Sequence, residues 1–352
     1  MEGWWSLLYS LIDLSLYPIL FTMYLKILVP EINNLTLYFV ELMVIWSCAL
    51  LNIYGIKSVG YSLIGFKLFI LLSFLIFMFL GFQHISFDFS AILKSQKHFE
   101  TKNLLYGISL AFWNFIGWDN GSTVLHEVDK PDKNFYKALF ITIPIIVFFY
   151  FFSILIGASI DADWQNWKFG QFSKIANSIH QPFLGVILAI GGMAMCIGIF
   201  NSLLLSSTRV FQTMAQDKFL PSFFAKSHKK LLTPHISILF CAFVYSGLIL
   251  FDFQKLVIYD VLLYLFAMML EAFALVALRS RNKNAKTYFK IPFGSFGMYF
   301  IVSMTVIVIL FVTALNLMDF KFSFSNILLI AFLIFGGIPV YYSFKCINKS
   351  MG

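Results

Sequence analysis

Five ionisable residues fall inside long apolar runs, where a charge is costly and its presence points to function. They are Asp13, Glu41, Lys67, Asp119 and Glu271. Asp119 belongs to the most unusual stretch, Ala111 to Ser122, in which Gly117 and Gly121 bracket Trp118, Asp119 and Asn120. Glycine, aspartate and asparagine are poor helix formers. The stretch therefore predicts a helix broken at mid-membrane depth. Unpaired backbone groups there are tolerated only around a cavity, and such a cavity can bind a small polar solute, as in secondary transporters. The alternative is a glycine-mediated helix crossing with Asp119 paired to a neighbour. Glu41 lies near the start of its run and is expected to reach the outer interface.

The elements that must position these residues are membrane helices. The chain has 352 residues, of which 60% are hydrophobic and 12% charged, against about 25% charged in soluble domains. Lipid is the solvent that fits, and the 44 phenylalanines suit a lipid-facing surface. Ten apolar runs are long enough to span a bilayer: 5–25, 36–54, 61–82, 104–124, 138–160, 183–206, 233–252, 256–278, 296–318 and 324–344. Alternating β-barrel patterning is absent. Lys and Arg are roughly twice as frequent in the loops on the side of the N-terminus as in those opposite. The positive-inside rule then places both termini in the cytoplasm, as an even number of spans requires. The longest cytoplasmic connection is expected at 207–232, with an amphipathic stretch from Val210 to Phe219 at the membrane surface.

The net charge of +8 sits in these short loops and sets orientation, not nucleic-acid binding. The four cysteines are far apart and read as small buried hydrophobes. Five histidines fall in predicted loops, and His235 opens a span. Neither a metal site nor a cofactor is implied. The absence of HExxH, GxSxG and paired-histidine motifs argues against an enzyme.

At the broken stretch the chain resembles the amino acid–polyamine–organocation superfamily, closest to its polyamine-uptake and amino-acid permease branch. Leu11 to Phe21, followed by Tyr24-Leu25-Lys26, is similar to that branch's third helix. Phe112-Trp113-Asn114, Gly117-Trp118-Asp119 and Ser122 resemble the sixth. Glu127-Val128, Pro131, Asn134 and Lys137-Ala138-Leu139 resemble the loop that follows. Ser207-Thr208-Arg209, Met214-Ala215, Leu220-Pro221, Phe224-Ala225-Lys226 and Thr233-Pro234 look like the loop after the eighth helix. Leu263-Tyr264, Met268-Met269-Leu270-Glu271 and Tyr288-Phe289-Lys290-Ile291-Pro292 are similar to the tenth helix and its exit.

The resemblance implies an all-α, inverted-repeat transporter fold in one membrane domain, 1–352, shortened at the N-terminus by the first two family helices. Residues 1–82 would be the remainder of the first repeat, 104–278 the second repeat, and 296–345 the last two helices. It implies a permease for amino acids or polyamines in the cytoplasmic membrane, coupled to protons, whose partners are the small-molecule substrate, protons and lipid. Trp113, Asn114, Ile116, Gly117, Trp118 and Asp119 are the implied substrate-site segment, with Asp13 and Tyr17 facing the same cavity. Glu271 joins Asp13 and Asp119 as a third acid among the core spans, which favours cationic substrates. Lys67 would take the place of a coupling ion, because desolvation tunes a buried lysine's affinity for its proton. Glu127 and Arg209 are implied at the cytoplasmic gate. The alternative expectation is a non-transporting or partner-dependent fragment of such a permease.

Overall fold

In the computed structural model, residues 2–55, 59–85, 101–117, 129–161, 163, 166–228, 231, 233–281, 291–319 and 332–350 are described. Among them the regular secondary structure is helical. The α-helices are α1 (Glu2–Leu28), α2 (Asn34–Tyr54), α3 (Val59–Gly81), α4 (Thr101–Phe115), α5 (Pro131–Ile160) and α6 (Gln171–Ser178). They continue as α7 (Pro182–Gln216), α8 (His235–Leu248), α9 (Phe253–Arg281), α10 (Gly294–Asp319) and α11 (Gly337–Ser350). Seven stretches are long and apolar enough to cross a membrane, and α8 is a shorter apolar helix. A helix satisfies its backbone within itself, which is why it is the spanning form in hydrocarbon. Helix α5 leaves Phe140, Ile141, Phe148, Phe151 and Ile154 exposed, the surface expected where lipid replaces water.

Three expected boundaries move. The run 183–206 extends to Gln216, a single helix of 35 residues. The hydroxyls of Ser206, Ser207 and Thr208 donate back to the carbonyls of Leu203 and Leu204, so this polar stretch continues the helix instead of ending it. The run 104–124 stops as a helix at Phe115. The run 324–344 is interrupted by a turn at Gly336, between helical residues 332–335 and α11. Helix α6 is an addition, a short helix between the fifth and sixth expected spans.

The chain divides into two units. The larger holds most of α1, α2 and α3, the second part of α5, and α6, α7 and α8. Its apolar core joins Phe77 and Met78 of α3, Ile156 of α5, Ile175 and Ala176 of α6, and Leu184 and Leu188 of α7. Helix α7 is its axis, packed against α1, α2, α3, α6 and α8. Close packing between apolar helices in lipid needs small residues at the crossing. At Gly192 of α7, a β-carbon would lie 2.6–2.8 Å from three ring atoms of Tyr24 on α1. Side-chain bonds also link the elements of this unit. Thr22 Oγ1 lies 2.6 Å from Glu41 Oε1. Asn52 Nδ2 donates to Asn201 Oδ1 at 2.5 Å. Thr233 Oγ1 donates to the Ile53 carbonyl at 2.9 Å, and the Tyr38 hydroxyl to the Ser246 carbonyl at 3.5 Å.

The smaller unit holds residues 1–9, α4, the first part of α5, most of α9, α10 and the chain up to Pro339. Helices α4 and α10 pack on each other. The indoles of Trp4 and Trp5 donate to the Leu333 and Ile334 carbonyls, just before the turn at Gly336, at 3.0 and 2.9 Å. Trp5 also packs on Phe266, and Tyr9 on Tyr264, with ring centroids 5.5 Å apart in each pair.

Replacing Gly192 with alanine forces the Tyr24 ring out of its seat, and overpacking of this kind costs about 1–3 kcal/mol. Thermal unfolding in detergent should show the loss, and Tyr24→Ala in the Gly192→Ala background should recover part of it. Equal stability of Gly192→Ala and the parent would show that the α1–α7 contact is looser than described.

Candidate functional site

Helix α4 runs to Phe115 and passes through a turn at Ile116 and Gly117. The Ile116 amide donates to the Trp113 carbonyl at 3.2 Å, a tightened last turn of the kind that closes helices. Gly117 has φ +96°, a conformation that side chains with a β-carbon rarely adopt. The helix therefore ends within the span that the sequence marks, four residues before Asp119. Trp113, Ile116 and Gly117 are half-buried and Asn114 is exposed, with Asn114 Nδ2 donating to the Leu110 carbonyl at 2.9 Å. Trp118, Asp119 and Glu127 lie outside the described residues.

In the larger unit, Asp13 and Tyr17 come together one turn apart on α1. The Tyr17 hydroxyl donates to Asp13 Oδ1 at 3.4 Å, and Asp13 is 8% exposed. Tyr245 of α8 is fully buried in the same unit. Its ring meets Phe200 of α7 edge-on, with centroids 5.6 Å apart. Its hydroxyl faces the side chains of Ser207 on α7 and Cys241 on α8.

Other expected residues lie elsewhere. Lys67 is exposed on α3, within a stretch long and apolar enough to cross a membrane. Arg209 is exposed on α7, on a helix and not in the expected loop. Glu271 of α9 is exposed. Glu41 corrects its expectation: it is 8% exposed and joined to Thr22 inside the larger unit, not reaching an interface.

The sequence reading passed over Tyr245, the fully buried Asp260 of α9 and the Asn52–Asn201 pair. Asp260 falls five residues after Lys255, near the expected start of its span. The asparagines and the tyrosine carry no charge at neutral pH, so charge within an apolar run does not mark them; their signal is a strong hydrogen-bonding side chain on an apolar face.

Gly117→Ala should destabilise the end of α4, because a β-carbon at positive φ costs about 1–2 kcal/mol. The measure is thermal unfolding in detergent, with Trp113 fluorescence as a local probe. An unchanged unfolding midpoint together with unchanged fluorescence would mean that the turn relaxes at no cost.

Comparisons with known proteins agree with this architecture. The profile of the amino acid permease family matches residues 2–338. The polyamine transporter RMV1 of Arabidopsis thaliana is 31% identical over 84% of this chain and 60% of its own length. The polyamine transporter PUT1 of Oryza sativa subsp. japonica is 30% identical over 84% of this chain and 55% of its own. The large neutral amino acids transporter small subunit 2 of Oryctolagus cuniculus is 31% identical over 43% of this chain and 29% of its own. The chain thus spans about 60% of the length of the first of these relatives. With the family profile matched along nearly its whole length, this multi-pass, all-α membrane protein belongs to the amino acid permease family, within the amino acid–polyamine–organocation superfamily.

Proposed function

We propose that this protein is a secondary transporter of polyamines or amino acids, driven by the proton gradient, with both termini on the cytoplasmic side of the cytoplasmic membrane. The observation that carries the reading is the end of α4 at Phe115 with Gly117 at positive φ. A helix that stops within a membrane span leaves carbonyl acceptors without helical partners, and a polar solute can meet them there. The names of the relatives support the substrate class: two are polyamine transporters and one is a transporter of large neutral amino acids.

In this reading Trp113, Asn114, Ile116, Gly117, Trp118 and Asp119 form the substrate segment. Asp13, Tyr17 and Glu271 are further substrate-binding residues, Lys67 exchanges the coupling proton, and Glu127 and Arg209 act at the cytoplasmic gate. Three acids against one base among the core spans favour cationic substrates, since apolar surroundings strengthen the field of each charge. The protein acts as a carrier, not as a catalyst. Its repeats follow the division 1–82 and 104–278, with 296–345 as the last two helices.

The test is uptake into proteoliposomes of labelled putrescine, lysine and a neutral amino acid, with and without an inward proton gradient. Gradient-driven uptake of the cations is expected, and Asp119→Asn should weaken cation uptake more than neutral uptake. Absence of uptake of all three by folded protein would contradict transport. Equal losses in Asp119→Asn would contradict a charge-selecting role for Asp119.

A further inference from the structure

Thr22 and Glu41 carry a constraint that follows from counting protons. Thr22 Oγ1 lies 2.9 Å from the Ile19 carbonyl oxygen and 2.6 Å from Glu41 Oε1, both good O–H···O separations. A threonine hydroxyl has one proton to donate, and a carbonyl or a carboxylate has none. Two full hydrogen bonds require that Thr22 donates to Ile19 and that Glu41, as a carboxylic acid, donates to Thr22; with an ionised Glu41 the single hydroxyl proton is shared or given to one acceptor.

The surroundings agree. Glu41 is buried on the face of α2 that also carries Val44, Ile45, Cys48, Ala49 and Asn52. It stands seven residues into the helix, about 10 Å from its start at 1.5 Å per residue. Around it, α1 carries Tyr9, Asp13, Tyr17, Tyr24 and Lys26 as its titratable groups beyond Glu2, α7 carries Cys196 and Arg209, and α8 carries His235, Cys241 and Tyr245. Lys26 and Arg209, the bases among these that are charged at neutral pH, are exposed, and His235 is half-buried at the first position of α8. Among the described residues Glu41 forms no ion pair and meets Thr22 as its hydrogen-bonding side chain. A buried carboxylate without a cation is strongly disfavoured, and the group takes a proton instead.

We propose that Glu41 is a proton-binding site, a neutral carboxylic acid that donates to Thr22 and holds α2 against α1. Release of the proton to water leaves a carboxylate. The Thr22 hydroxyl then turns to donate to it and gives up the Ile19 carbonyl. One proton thus changes the bonding of both helices. If the protein transports by proton coupling, as proposed above, Glu41 is a second proton-carrying group, buried where Lys67 is exposed. The protonation claim itself does not depend on that reading.

The test is infrared spectroscopy of the protein in lipid membranes at neutral pH. The carbonyl stretch of one protonated carboxyl should be present in the parent and lost in Glu41→Gln, whose amide can still donate to Thr22 and so preserves the helix contact. Thr22→Val should keep that band and shift it to higher frequency, because the acid loses its acceptor. The second variant keeps the test decisive should the first fold poorly. Identical carboxyl bands in the parent and Glu41→Gln, or a Thr22→Val spectrum without any shift, would overturn the proposal. The band is read without transport, so a protein that shows it yet carries no substrate supports the proton site and contradicts the transport reading.

Discussion

Hydrocarbon offers no partner for a polar group, and the rest of the structure follows from that constraint. Backbone amides satisfy themselves in helices, so polar side chains and interrupted helix ends are the places where the chain must find partners. In the larger unit the partners are side chains on neighbouring helices. Thr22 meets Glu41, Asn52 meets Asn201, and Thr233 meets the carbonyl of Ile53. Single bonds of this type are modest in membranes, on the order of 0.6 kcal/mol on average. Their value here is register: each fixes which turn of one helix faces which turn of the next, while apolar contacts alone would tolerate sliding.

The same constraint gives interrupted helices their meaning. Beside the turn at Gly336 the carbonyls of Leu333 and Ile334 accept from the indoles of Trp4 and Trp5. At the end of α4 the turn tightens through Ile116 and then enters positive φ at Gly117. Under the proposed function the second interruption is the place to look for the substrate. At the first, indole donors are seated on the carbonyls beside the turn.

Much of the architecture was legible in the sequence because the signal is hydrophobic length, which a bilayer reads directly. Each of the ten apolar runs contains or overlaps a described helix. Boundaries were less legible where polar residues bond back to their own helix. Ser206, Ser207 and Thr208 read as a loop by composition, yet their hydroxyls find carbonyls three and four residues earlier and α7 continues to Gln216. The candidate site divides similarly. The break at Gly117 was legible because glycine next to aspartate has a local conformational meaning. Glu41 was misread because burial depends on which helix lies opposite, and nothing in the local sequence announces Thr22, nineteen positions earlier. The Asn52–Asn201 bond, across 149 positions, lies still further from anything a local pattern records.

The central claim is that α4 ends at Phe115, inside its expected span, while the helices of the larger unit are continuous and cross-bonded. Hydrogen exchange of the full chain in lipid nanodiscs, followed by mass spectrometry of peptides, tests it directly, since amides exchange where helical bonding opens. Peptides covering the last turn of α4 through Gly117 should exchange much faster than peptides from the interiors of α1, α2, α7 and α8. Protection of the α4 end equal to that of those helices would contradict the account, because it would mean that α4 continues unbroken through the residues assigned to the substrate.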